Sequence, residues 1–558
     1  MAATLFHITL FFLLFSIVQS RLYTLPQPII QLPHLPHLFS VADYGAIGDG
    51  LHYDTAAIQA TIDACHSAGG GQIRFPPGTY LTATVYIKSG VYLVVEEGAK
   101  ILGGTKLEDY PEESRRWYVL LAENATDVGI TGGGVIDGHG MKFVKRFEEA
   151  KNVMVSWNET GACLGDECRP RLVGFLGCRN VRVWNIRLNE PAYWCLIITF
   201  LNMGVLLVME LKSDMLDHGQ NIAAVWQSYK QHGFAENVAI PIALPKAIDV
   251  KLFVHVFSLL SMHLINRFSN CSLHLVGCDN TSIHDVSIYG DFNTPNNDGI
   301  DIEDSNNTVI TRCSISTGDD SICPKTSNGP LYNLTVTNCW LRSRSSAIKL
   351  GSGSFYDFKG LVFDNITIDD SHRGLGMQIR DGGDVSDVTF SNMNIKTRYY
   401  EPVLWWGRAE PIYITTCPRD SNSKEGSISN IRFINISVTS ENGVFLSGSK
   451  AGLLSNLRFQ NVNFTYRRWT NFPDDLVDYR PGCRGLVKHS PAGMIMEHID
   501  GLELENVNMR WSGVIQNKRW NNPLDFLPST VNNISFLNFQ SGSDSVREIR
   551  APREGSIV

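Results

Sequence analysis

Three carboxylates in this sequence are spaced for work on one small target. Asp298 stands in Asn296-Asn297-Asp298-Gly299, and the adjacent pair Asp319 and Asp320 follows Gly318. Asp320 comes 22 residues after Asp298. If the chain coils with about that period, neighbouring rungs lie about 4.8 Å apart and the three acids share one wall. Carboxylates held so close repel one another, which raises the pKa of at least one and leaves another ionised. A protonated acid for a leaving oxygen and an ionised base for water are the two parts glycoside hydrolysis needs. Taken alone, Asp after Gly is ordinary turn chemistry, and an acidic cluster can also hold calcium. The elements that position the acids decide between these readings.

Those elements repeat. An eight-residue phrase, apolar at alternate positions with Asn at the fifth, runs Val181–Leu188, Leu334–Leu341, Leu361–Ile368 and Val388–Ile395. Further copies centre on Asn435, Asn461, Asn506 and Asn538, and Asn338, Asn365 and Asn392 are each 27 residues apart. Alternation argues for strands. Each phrase is too short to bury its apolar face alone, so copies must stack into a continuous core. The expected fold is all-β: a right-handed parallel β-helix over residues 39–545, with the Asn side chains stacked as a ladder in a turn. A short helix in Asp54–Ala68, stopped by Gly69-Gly70-Gly71, caps the open end. Between about 197 and 270 no phrase is found and the composition shifts, so this stretch is read as an insert foreign to the coil. Residues 21–38 read as a linker and 546–558 as a C-terminal tail.

Bulk properties narrow the function. The net charge of −8 gives no basic footprint for nucleic acid. The apolar run Leu5–Val18 has the length of a secretory leader (residues 1–20) and is too short to span a bilayer comfortably. Ten Asn-x-Ser/Thr acceptors fit a secreted, extracellular glycoprotein. Among the 12 cysteines none shows paired CxxC spacing of a zinc site; some are expected to form disulfides. The chain is read as a monomer without a membrane partner.

The front of the chain, Ala42–Gly50 and Gly69–Tyr80, resembles the opening of pectinase-type β-helices. Asn296-Asn297-Asp298 with Gly318-Asp319-Asp320 resembles the Asn-Thr-Asp and Gly-Asp-Asp of glycoside hydrolase family 28, the polygalacturonases. That resemblance implies Asp319 as general acid, with Asp298 and Asp320 activating water and the anomeric configuration inverting. It implies no metal and no other cofactor, and a pectic polysaccharide as partner. Two motifs depart from the family. Ser346 stands where its Gly-His-Gly has histidine, although a literal Gly138-His139-Gly140 occurs earlier and is read as a turn. Gln378-Ile379-Arg380 replaces Arg-Ile-Lys, so Arg380 is expected to grip a uronate carboxylate by a forked contact. Asn296, Gln378, Ser346 and Lys349 complete the expected grip, with Trp405, Trp406 and Arg408 from a long aromatic loop. Lys325 and Arg344 add local positive charge.

The function expected is a secreted hydrolase of α-1,4-galacturonosyl bonds, with exo action made plausible by the two altered motifs. The alternative is a weakened, pectin-binding wall protein. A calcium-dependent lyase on the same fold is disfavoured, because a lyase needs an Arg or Lys base in place of paired acids.

Overall fold

Alternation writes the architecture. Val385–Thr397, Ile428–Ser440, Leu454–Tyr466 and Ile499–Trp511 each bury every second side chain and expose the next. The alternation resets at an Asn in left-handed conformation, such as Asn392 (φ 54°) or Asn435 (φ 56°), where the strand bends. The strands pair in parallel, Leu361 with Val388, Val388 with Ile431 and Ile431 with Leu457. Inward-facing rings therefore fall on one another. Phe363, Phe390, Phe433 and Phe459 stack with centroids 4.9, 5.4 and 4.5 Å apart.

The computed structural model describes residues 37–147, 151–161, 163, 168–199, 258–261, 265–266, 273–402, 405–473, 475–480, 483–512, 522–543 and 546–550. They belong to one unit, Leu32–Met209 with Val256–Val558. A second unit, Met1–Gln31 with Glu210–His255, lies outside the described residues, as does the expected leader. The described strands form a right-handed parallel β-helix. One wall is a sheet of 13 parallel strands, and a larger sheet makes the remaining walls. No helix among the described residues is long and apolar enough to cross a membrane.

The Asn ladder runs along one corner. The side-chain amide of Asn435 donates to Asn392 at 3.1 Å, Asn461 to Asn435 at 3.0 Å, Asn506 to Asn461 at 2.9 Å and Asn538 to Asn506 at 2.9 Å. Each hydrogen bond joins the exposed side-chain amides of turns on successive coils. The expected cap is helix α1 (Thr55–Ser67), which buries Ile58, Thr61, Ile62 and Cys65. It ends because Gly69 and Gly70 take φ of 93° and 99°, and the Gly70 amide returns to the Cys65 carbonyl at 2.9 Å.

The structure differs from expectation at two boundaries. The stretch 197–270 is not free of coil. Strand β1 (Leu196–Thr199) pairs in register with β2 (Leu273–Val276), Leu196 beside Leu273. Ser258–Ser261 and Ile265–Asn266 supply the other walls of that coil, pairing with Val183–Trp184 and Asn189 below and with Thr281–Ile283 and Ile288–Tyr289 above. These two strands lack the Asn phrase, which is why the sequence hides them; residues 200–257 lie outside the described residues. Val546–Arg550, read as tail, pairs antiparallel with Gln540–Ser543. Disulfides join Cys163 to Cys168 and Cys417 to Cys483, while Cys313, Cys323 and Cys339 are reduced and buried.

Candidate active site

The site lies on the outer face of the 13-strand wall. Its rungs are β2, then β3 (Ile300–Glu303), β4 (Ile322–Lys325), β5 (Ser346–Gly351), β6 (Arg373–Gln378) and β7 (Ile412–Thr415). Ile300 pairs with Ile322 and Ile322 with Ile348, all three facing the core. Asp298, Asp320 and Ser346 each stand two residues before those positions, where the chain enters the rung from the preceding turn, and they form one column along the wall. The Gly299 amide donates to the Asp320 carbonyl at 2.8 Å, and the Ser321 amide to the Ser346 carbonyl at 3.0 Å. A second column holds His274, Asp301, Cys323, Lys349, Gly376 and Tyr413. A third holds Val276, Glu303 and Lys325.

Asp319 occupies the turn before Asp320. Gly318 is needed there, since a Cβ would stand 2.2 Å from the Thr294 carbonyl oxygen. The Asn296 amide donates to Asp319 Oδ2 at 2.9 Å, and the Asp320 amide to Oδ1 at 3.0 Å. The Asp319 carbonyl accepts from the hydroxyls of Thr317 and Ser343, each at 2.7 Å. No cation pairs with this carboxyl among the described residues. Asp320 is 1% exposed and ion-paired to Lys349, with Ser345 Oγ at 2.9 Å and the Ser346 amide at 3.1 Å. Lys325 reaches Asp298 at 3.2 Å and also pairs with Asp301, which is fully buried.

These environments separate the acids. Burial, then the charges of Asp298 and Asp320, push Asp319 up to about 7. Burial, then Asp301, push Asp298 up to about 7 despite Lys325. Burial also acts to raise Asp320, but the Lys349 charge and its hydrogen bonds win and hold it below the ordinary value. One acid is thus ionised between two that keep their protons near neutrality. The sequence pairs Asp298 with Asp320 as ionised groups; the second buried carboxyl beside Asp298 is why they differ.

The remaining expected residues fall in three places. Ser346 lines the acid column, and Gly376 leaves space above it: a Cβ there would lie 3.6 Å from Ser346 Oγ. Lys349 is committed to Asp320. The expected column is corrected at its end: Ser346 pairs with Arg373, not Arg380. Arg373 is committed to Glu410 at 3.2 Å and lies over the Tyr413 ring at 3.7 Å. Gln378 ends β6 beside Gly351. Arg380 lies past that strand, 5% exposed, its amide donating to Ser354 Oγ at 2.7 Å. In the aromatic loop Trp406 is exposed, whereas Trp405 and Arg408 are enclosed. Arg408 lies over Tyr399 at 5.3 Å. His139 sits in a turn with left-handed backbone, its Nδ1 3.1 Å from the Gly103 carbonyl.

Sequence reasoning missed Asp301, the pairing role of Lys325, and the enclosed His372. The signal for Asp301 was the alternation Ile300-Asp301-Ile302-Glu303, which turns both acids outward beside Asp298. Asp298, Asp320 and Cys323 bring ligand atoms within 4.8 Å of one another, the only such group among the described residues. The positive charge a divalent ion would bring is already supplied there by Lys325 and Lys349, so this donor set does not suit one.

Comparison with known proteins agrees with the coil. Residues 217–474 match the model of Glycosyl hydrolases family 28, and 38–100 that of Rhamnogalacturonase A/epimerase, pectate lyase-like. A relative named exo-poly-alpha-D-galacturonosidase, from Dickeya chrysanthemi, is 24% identical over 396 residues, 66% of this chain. The match spans 57% of that relative's own length. Among solved structures, the family 28 exopolygalacturonase of Yersinia enterocolitica superposes with a TM-score of 0.55 at 15% identity, covering 89% of this chain and 78% of its own. The exopolygalacturonase of Thermotoga maritima gives 0.52 at 17% identity, covering 86% and 92%. Those two share the fold. Over residues 217–474, just under half of its length, the chain is similar to glycoside hydrolase family 28.

Proposed function

We propose that this protein hydrolyses α-1,4-galacturonosyl bonds of pectin, from chain ends, by a single displacement with inversion. The observation that carries the reading is the contrast between neighbours: Asp319 has no cation and keeps its proton, while Asp320 is ionised by Lys349. Asp319 gives its proton to the glycosidic oxygen as the C–O bond breaks. Asp320 takes a proton from the water that attacks the anomeric carbon from the opposite face. Asp298, tethered by Lys325, orients that water. Exo action is supported by the name of the Dickeya relative and by the altered histidine and Arg-Ile-Lys positions. The leader-like start, the glycan acceptors and two disulfides support secretion to the cell wall as a monomer.

A second reading, a pectin binder with little turnover, is favoured by Ser346 in the histidine position and by the enclosure of Arg380. Incubation with polygalacturonate, with and without chelator, separates the readings. Reducing ends that form in chelator, released as monomer or dimer, support the exo-hydrolase. Unsaturated, ultraviolet-absorbing product would indicate a lyase, and retention without product the binder.

A further inference from the structure

Beside the acids stands a cation that the proposed chemistry has not used. Arg344 occupies the turn stacked one coil above Gly318 and Asp319, its amide donating to the Thr317 carbonyl at 3.1 Å. The next residue, Ser345, holds Asp320 through its hydroxyl at 2.9 Å. The guanidinium is walled by three rings: Tyr400 at 4.6 Å, Phe292 at 5.6 Å and Trp405 at 5.9 Å from their centroids. Phe292 comes from one loop, and Tyr400 and Trp405 from another. Phe292 and Tyr400 meet edge to face at 5.2 Å. Phe292 is fixed next to the catalytic turn, because Asn297 donates to the Asp291 carbonyl at 2.8 Å.

Among the described residues Arg344 has no ion-pair partner, and its Nε is buried without a hydrogen bond. Arg373 is paired with Glu410 and Arg480 with Asp478, whereas Arg380 and Arg408, enclosed more deeply than Arg344, likewise keep a buried Nε without a hydrogen bond. One coil above Arg344, His372 is fully buried, with Nδ1 3.2 Å from the Arg344 carbonyl. Burial brings its pKa down to about 3, so it braces the turn without contributing charge. A half-desolvated guanidinium whose charge is offset only by Glu401, beyond ion-pair distance, is unfavourable, and a carboxylate ligand relieves it with forked, charge-assisted hydrogen bonds. The aromatic faces hold the guanidinium plane by cation–π contact and leave its edge free to donate.

We propose that Arg344, in the cage of Phe292, Tyr400 and Trp405, binds the free carboxylate of a uronosyl residue next to the scissile bond, and so selects de-esterified over methyl-esterified chains. This rests on the hydrolase reading above, and places the grip there in preference to Arg380 and Arg408. The test is calorimetric titration of the full chain in an Asp319→Asn background, which prevents turnover, with trigalacturonate and with its methyl ester. A hydrogen bond between charged groups predicts that adding Arg344→Gln weakens trigalacturonate about 10- to 100-fold and the ester far less. Arg344→Lys keeps charge but not the fork, and restores only part of the preference. If Arg344→Gln does not fold, the lysine variant carries the test through the same ratio, with its melting temperature as control. An unchanged preference for the acid, or an equal loss on both ligands, overturns the arginine assignment while the hydrolase reading stands. Wild-type protein that releases no reducing ends from polygalacturonate overturns both.

Discussion

Lys349 and Asp320 form an ion pair across adjacent coils, with side chains 16% and 2% exposed. The pair joins the acid column to the column beside it, so it governs both the charge of the site and the hold of one rung on the next. Breaking it by Lys349→Met leaves a buried carboxylate without its cation. The expected loss is about 3–5 kcal/mol of stability at neutral pH, read by urea denaturation. Asp320 also loses the charge that holds its pKa down. In the folded fraction the acid limb of the rate profile should therefore move to higher pH. An unmoved limb would mean that Asp320 is not the base.

The wild-type pH profile follows from the three carboxyls. Asp320 is ionised to below the ordinary carboxylate range, so the acid limb should fall below about pH 4. Asp319 keeps its proton to about 7, so kcat/KM should decline as pH rises through that value. Initial rates on oligogalacturonide between pH 3 and 9 check this; a profile rising through neutrality would contradict it.

The same carboxyls set a stability trend. Asp298 and Asp319 have folded pKa values of about 7, above the unfolded value near 3.9, so the native state holds more protons between those limits. Stability contributed by these two groups is complete below about pH 4 and is lost as pH rises towards 7. Asp319→Asn removes one source of that loss. Its melting temperature should exceed the wild type's at pH 8 by a few degrees and match it near pH 4.

The ladder can be tested apart from the chemistry. Asn461 takes φ of 57° and joins Asn435 to Asn506. Ala there loses both amide links and takes up a left-handed backbone that L residues resist, at about 2–3 kcal/mol together. Gly keeps the backbone and should cost roughly half of that. A glycine variant as stable as the wild type in urea melts would show that the side-chain amides contribute little.

Much of this was legible because a solenoid states its rule repeatedly. The phrase around Asn365, Asn392, Asn435 and Asn461 gives both the strand and the turn, and Asp298, Asp319 and Asp320 fall on neighbouring rungs as their spacing implies. What a linear reading misses is lateral register. Coils differ in length, so the residue above Ser346 is Arg373, whose burial depends on Glu410 and Tyr413 one rung further. Likewise Lys349 reads as part of the substrate grip until its rung sets it against Asp320. The coil between β1 and β2 was hidden for another reason: its strands carry no Asn phrase.

The most direct measurement is the rate of reducing-end release from polygalacturonate by the wild type, Asp319→Asn and Asp320→Asn, each checked for native circular dichroism. Loss of acid or base catalysis predicts a fall of about 10²- to 10⁴-fold in kcat for each, with KM little changed. A folded Asp319→Asn protein that retains wild-type turnover would contradict the account.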